Sequence, residues 1–166
     1  YRQGKIRAIG VSNYSLKQMD IFRQAASLHV VQPPYNIFER HIEHDVLPYV
    51  HKHTLKTLTY GALCRGLLTG RMKPDTQFTG DDLRKVDLKF QQPRYGQYLD
   101  AVAQLARFAR ERFKKSVLAL AVRWLLDQPD VSIALWGARR PDQLDPVDEA
   151  MGWTIDDMSR KAIDQI

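Results

Sequence analysis

The sequence predicts an α/β fold, a parallel sheet covered by helices, and three observations carry that prediction. Four short apolar runs rich in β-branched residues lie at positions 5–11, 30–32, 56–60 and 131–136. Between them, apolar residues recur every three or four positions, and this strand–helix alternation is the pattern of parallel sheets. Each run also ends in polar or glycine-rich residues: Ser12-Asn13, Gln32, Tyr60-Gly61, and Gly137 followed by Arg139. In open α/β sheets and in (β/α)8 barrels alike, ligands sit at these carboxyl ends. Four strands fit either an open sheet or half of a barrel.

The elements follow in order. The run at 5–11 alternates and leads to Ser12-Asn13, a strand end. Ser15, with Gln18 three residues on, has capping-box spacing, and Met19, Phe22, Ala25 and Ala26 form one helical face reaching about Leu28. The second strand, 30–32, is stopped by Pro33-Pro34. Ile42, Val46, Leu47 and Val50 give a second helical face, which tolerates Pro48 only near its start. The third strand, 56–60, ends at Gly61. From 66 to 96 periodicity fails, and a connection this long is either functional or disordered. Helices resume through Leu99, Val102, Leu105, Ala106, Ala109 and Phe113. Ser116 caps another helix, with Leu118, Val122, Leu125 and Leu126, that ends before Pro129. Thr154 with Asp157 suggests the cap of a short final helix.

The 131–144 stretch, VSIALWGARRPDQL, has the most distinctive chemistry. A strand ending in Gly137 and opening at Pro141-Asp142 into a helix start leaves backbone N–H groups aimed outward, at the positive end of a helix dipole. Arg139 and Arg140 add fixed charge, so phosphate is the first ligand to consider.

Composition narrows the classes. The 166 residues suffice for one domain, and no apolar run approaches the ~18 residues of a membrane span. The formal charge is +6, but 25 basic residues are interleaved with 19 acidic ones, which favours solvated faces over a nucleic-acid interface. The single cysteine, Cys64, excludes an internal disulfide and suits a reducing, cytoplasmic setting. His41, His44, His51 and His53 lack cysteine partners and HExxH spacing, so they read as solvated side chains and no metal is expected. The chain starts at Tyr1 and stops inside a helical pattern, which reads as a piece of something longer.

Four motifs carry a family resemblance. GKIRAIGVSN at 4–13 is similar to the fifth strand of the aldo-keto reductase family, and VQPPYN at 31–36 to its sixth. YGALCRGLLTG at 60–70 resembles the seventh strand and its loop, and GARRPDQL at 137–144 resembles the eighth. They occur in the family's order over nearly the whole chain. The resemblance implies the C-terminal half of a TIM-type (β/α)8 barrel, residues 1–166 forming one partial domain. In it, residues 67–96 form a long loop after the third visible strand, either a lid or an insertion.

It also implies NADPH-dependent reduction of aldehydes and ketones, with roles at matching positions. Ser12, Asn13 and Gln32 would hydrogen-bond the nicotinamide carboxamide, and Tyr60, followed by Gly61, would stack on the ring. Leu63, Arg65 and Gly66 would lie along the pyrophosphate. Gly137, Arg139 and Gln143 would hold the adenosine 2′-phosphate. Where many relatives carry a Glu-Asn pair against adenine, this sequence has Pro146 and Val147. The family's catalytic Asp, Tyr, Lys and His come from its first four strands, and no stretch here matches those motifs, so no catalytic residue is assigned to this chain. The expected partners are a small carbonyl substrate and the missing half of the barrel, or a second copy, because a half-barrel leaves strand edges unpaired. A non-catalytic nucleotide-binding or regulatory subunit of the same fold, like the family's channel-associated members, is the alternative.

Overall fold

A computed structural model describes all 166 residues. Four parallel strands, β1 (Gly10–Ser12), β2 (Val30–Gln32), β3 (Lys56–Thr59) and β4 (Ile133–Ala134), form one sheet in the order β1-β2-β3-β4. Five α-helices accompany them: α1 (Leu16–Ala25), α2 (Val46–Lys52), α3 (Arg94–Phe113), α4 (Val117–Leu126) and α5 (Asp157–Ile163). No helix is long and apolar enough to cross a membrane. The chain divides into two compact units, residues 1–62 with 125–137 and residues 63–124 with 138–166.

The first unit contains the whole sheet. Gly10 pairs with Val30, Val11 with Val31 and Ser12 with Gln32. A Cβ on Gly10 would lie 3.0 Å from the Val30 carbonyl oxygen, so glycine permits this close approach of the first two strands. The first strand is much shorter than the expected run of 5–11, because only from Ile9 onward does the chain find hydrogen-bonding partners, at His29 and Val30. Ser15 and Gln18 do form a capping box: the Ser15 hydroxyl accepts from the Gln18 N–H and the Gln18 side chain from the Ser15 N–H. Helix α1 ends at Ala25 rather than near Leu28, with Met19 its fully buried contact. Asp45 caps α2, which places Pro48 in the first turn, where its missing N–H costs nothing.

The last strand spans two residues instead of the six expected. Its pairing with β3 is extended by side chains. The Thr57 hydroxyl donates to the Asp130 carbonyl (2.7 Å) and accepts from the Ser132 N–H (2.9 Å), while the Thr59 hydroxyl donates to the Ile133 carbonyl (3.2 Å). Both threonines are fully buried. Two β-branched hydroxyls thus supply bonds that so short a ladder does not.

The second unit is built on α3 and most of α4. Helix α3 buries Tyr95, Val102, Leu105 and Ala109 along one stripe. In α4 every residue from Val117 to Val122 is buried, as are Trp124 and Leu125, so this helix is apolar on nearly all sides. Ser116 caps it as expected, accepting from the Ala119 N–H at 3.1 Å. The cap of α5 is Asp156 rather than Thr154; its carboxylate accepts from both the backbone N–H and the hydroxyl of Ser159. Residues 67–96 contain 3-10 turns at Leu83–Lys85 and Leu88–Phe90, and α3 begins at Arg94, two residues inside that span. Phe78, Phe90 and Tyr95 meet edge-on or tilted, with centroids 5.2 to 6.2 Å apart, and the Tyr95 hydroxyl donates to the Lys73 carbonyl at 2.9 Å.

Replacing Thr57 by the isosteric valine leaves the part-buried Asp130 carbonyl and Ser132 N–H without this partner. The expected outcome is a loss of about 1–3 kcal/mol, read as a lower midpoint in equilibrium urea unfolding.

Candidate functional site

The carboxyl ends of β1, β2 and β3 bring Ser12, Asn13, Gln32 and Tyr60 together within the first unit. Asn13 has φ +58°, a left-handed conformation that asparagine tolerates better than other non-glycine residues. There its N–H donates to the Gln32 carbonyl at 3.4 Å, and the Ser12 hydroxyl donates to the same carbonyl at 3.0 Å. The Tyr60 hydroxyl donates to Asn13 Oδ1 at 3.0 Å. This leaves Asn13 Nδ2 and the whole Gln32 side-chain amide without a protein partner, next to a half-exposed aromatic ring. Polar donors and acceptors are therefore presented beside a flat apolar face, a pairing suited to an aromatic carboxamide.

Behind these side chains the backbone is braced. The Tyr60 N–H donates to the Pro33 carbonyl and the Tyr35 N–H to the Tyr60 carbonyl, each at 3.0 Å, so pairing continues past the two prolines. Tyr35 is fully buried, and its hydroxyl donates to Glu43 Oε1 at 2.6 Å. Arg40 makes a two-point contact with the same carboxylate, at 2.7 and 3.1 Å. Burial alone would raise the Glu43 pKa, but the hydrogen bonds from Arg40 and Tyr35 and the Arg40 charge outweigh it and hold the group below the ordinary glutamate value.

The residues expected along phosphates lie in the second unit, apart from Gly137. Cys64, Arg65 and Gly66 take three consecutive positive φ values, +46°, +52° and +97°. Gly66 is restricted by its conformation, while the 3.0 Å approach of a Cβ there would be to Met72 Cε, the movable tip of a flexible side chain. Leu63 precedes the turn, and its carbonyl accepts from the N–H groups of Gly66 (2.8 Å) and Leu68 (3.2 Å). Arg65 is half-exposed and pairs with Asp87 at 3.3 Å, while its carbonyl accepts from Arg84 Nη1. Asp87 also binds Lys89 at 2.9 Å, and Asp82 binds Arg84. Sequence reasoning missed Asp82, Arg84 and Asp87 here. The signal was present as a tandem pattern, Asp82-Leu83-Arg84 and Asp87-Leu88-Lys89, in which each aspartate caps its own turn and faces a basic side chain.

The 137–144 stretch differs from expectation in two ways. No α-helix starts at Pro141; two 3-10 turns, Pro141–Gln143 and Asp145–Ala150, follow instead. Pro146 explains the break, because it has no N–H to donate to the Asp142 carbonyl. The N–H groups of Arg139 and Arg140 are also not left open, for both donate to Gln143 Oε1, at 2.6 and 3.2 Å. The helix-dipole anion site expected here is therefore replaced by a loop that Gln143 closes. Arg140 is committed to Asp142, at 3.0 and 3.1 Å. The Arg139 guanidinium makes no hydrogen bond or ion pair and is exposed, which leaves it the available cation of the stretch. Gly137 is exposed, three residues past the end of β4.

Two of the histidines read as solvated have partners. His53 Nδ1 lies 2.8 Å from Arg23 Nη1, and His51 Nδ1 lies 3.1 Å from Asp130. No cluster of three or more His, Cys, Asp or Glu side chains has the arrangement of a metal site.

Comparison with known proteins gives a consistent picture. The model of the Aldo/keto reductase family matches residues 1–166. The chain is 57% identical over 166 residues to Aldo-keto reductase YhdN of Bacillus subtilis, an alignment covering 100% of this chain and 50% of that protein. It is 31% identical over 142 residues to the NADH-specific methylglyoxal reductase of Escherichia coli, covering 86% of this chain and 43% of the relative. Among solved structures, the glycerol dehydrogenase AKR11B4 from Gluconobacter oxydans matches with a TM-score of 0.93 at 55% identity, covering 99% of this chain and 50% of the other. The chain spans about half the length of the curated relatives it matches.

The braced segment behind Tyr60 has a pH signature. A carboxylate whose folded pKa is depressed contributes stability that is fully present above its unfolded value and is lost as pH falls through the folded one. Glu43→Gln is therefore expected to flatten the loss of stability below about pH 4.5, measured as urea midpoints across an acid pH series.

Proposed function

Because the chain belongs to the Aldo/keto reductase family, we propose that it forms the NADPH-holding half of an oxidoreductase that reduces aldehydes and ketones to alcohols. The observation that carries the reading is the set of uncommitted amide groups, Asn13 Nδ2 and Gln32, beside the Tyr60 ring at the carboxyl ends of adjacent parallel strands. A carboxamide needs both donors and acceptors, and these groups offer both. Ser12, with its hydroxyl hydrogen committed to Gln32, retains an acceptor. The ring of Tyr60, tethered at its hydroxyl by Asn13, presents a fixed face on which nicotinamide would stack.

Leu63, Arg65 and Gly66 would hold the pyrophosphate, with Gly61 at the strand exit. Gly137, Arg139 and Gln143 would hold the adenosine 2′-phosphate. Arg139 suits that role because its guanidinium makes no hydrogen bond or ion pair and only senses the Asp82 charge from farther away, whereas Arg140 and Arg84 are already paired. A free guanidinium binds phosphate in a two-point, charge-assisted contact, and the 2′-phosphate is what distinguishes NADPH from NADH. Residues 67–96 would cover this part of the cofactor, since Asp87 already reaches Arg65 and Arg84 its carbonyl. When bound, NADPH supplies hydride to a carbonyl carbon. The proton donor and its supporting Asp, Lys and His would come from the family's first four strands. The partners would then be a small carbonyl compound and the remaining half of the barrel or a second copy of this chain. A cytoplasmic setting suits the single, buried Cys64.

Two outcomes follow. Arg139→Ala in the full-length protein should weaken NADPH about 10- to 100-fold while leaving NADH nearly unchanged, measured by fluorescence titration; equal losses for both would sink the assignment. Residues 1–166 expressed alone should not oxidise NADPH measurably with an aromatic aldehyde, because general acid–base help worth ~10²–10⁴ in rate lies elsewhere. Turnover that persists through rigorous purification would overturn the division of labour.

A further inference from the structure

We propose that Asn36 is a positioning residue for the corner formed by Tyr60 and Gly61, and so for the ring face offered to the nicotinamide. The inference rests on the reading of Tyr60 as the stacking side chain. Asn36 is fully buried, 0% exposed, and its amide is satisfied on both sides. Oδ1 accepts from the N–H groups of Phe38 and Glu39, each at 3.0 Å. Nδ2 donates to Glu39 Oε2 at 2.6 Å and, across 25 residues of sequence, to the Gly61 carbonyl at 2.9 Å.

The first two bonds are those of a local Asx turn, which an aspartate would make equally well. The bond to Gly61 is surplus to that turn and requires the amide nitrogen. It falls where the chain has most freedom, since Gly61 has φ +74° and nothing within 4 Å of its Cβ position. Without this bond, only the neighbouring bridge and the hydroxyl bond to Asn13 hold Tyr60, and the glycine beside it is free to swing. Glu39 orients the amide: its carboxylate accepts one Nδ2 hydrogen in a short charge-assisted bond, directing the other at Gly61.

The decisive variant keeps the turn and removes the long-range bond. In Asn36→Asp combined with Glu39→Gln, the aspartate still accepts from Phe38 and Glu39 backbone groups, the new glutamine amide donates to it, and Gly61 loses its donor. Asn36→Ala, which adds no charge, is read alongside and should show the same pattern. Binding of NADPH and of 2′,5′-ADP, which carries only the phosphate-bearing end, is measured by calorimetry on the full-length protein, also in a Tyr60→Ala background. The expected result is an about tenfold loss of NADPH affinity, unchanged 2′,5′-ADP affinity, and no further loss when Tyr60 is already alanine. Unchanged NADPH affinity, a loss shared by 2′,5′-ADP, or a loss additive with Tyr60→Ala would overturn the proposal. If Tyr60→Ala itself binds NADPH normally, the stacking reading fails and the inference with it. If Tyr60→Ala weakens binding and the Asn36 variants do not, the inference alone fails.

Discussion

The interaction on which the proposed nicotinamide part of the site depends is the backbone pairing that carries β2 past its two prolines. Neither Pro33 nor Pro34 has an N–H to donate, so an ordinary ladder would be interrupted there. The chain resolves this by using Pro33 as an acceptor for the Tyr60 N–H and returning the bond from the Tyr35 N–H to the Tyr60 carbonyl. Tyr60 is thereby held on both sides of its α-carbon. The set behind it, buried Tyr35 with the half-buried Glu43 and Arg40, secures that strand in turn. A flexible loop residue could not keep an aromatic face in one place; a residue inside a parallel bridge can.

The rest of the sheet shows how little ladder the fold requires. β4 has two residues, yet Thr57 and Thr59 hold its approach through side-chain bonds in a buried setting where an unsatisfied carbonyl or N–H would be costly. Threonine serves two purposes here, a β-branched side chain that packs on a pleated surface and a hydroxyl that replaces missing backbone partners.

Charge bookkeeping distinguishes the residues proposed to face phosphates. The second unit is rich in arginine, and four of these arginines are paired with carboxylates: Arg65 with Asp87, Arg84 with Asp82, Arg140 with Asp142, Arg112 with Asp156. Such pairs at the surface contribute little to stability, but they decide which cations remain available. Arg139 remains available because Gln143 binds the backbone around it and Asp142 takes its neighbour. Specificity for a phosphate ester can thus arise from which guanidinium is left over as much as from which is present.

The order of strands and helices, the capping box at Ser15, the cap at Ser116 and the four motifs of the Aldo/keto reductase family were all readable from the sequence, because each depends on residue type at fixed local spacing. The polar strand ends Ser12, Asn13, Gln32 and Tyr60 were readable as a set for the same reason. Strand lengths were not: the run at 5–11 has strand-like residues but no partner before Ile9, and pairing is a property of two segments. Nor was the fate of the 137–144 stretch. Its composition suggests an open helix start, and only folding shows Gln143 closing the N–H groups and Pro146 breaking the helix. Asn36 stood within a recognised motif, but its reach to Gly61 joins residues 25 positions apart. Local chemistry was written in the sequence; which polar groups are spent on one another, and which stay uncommitted, only the tertiary structure decided.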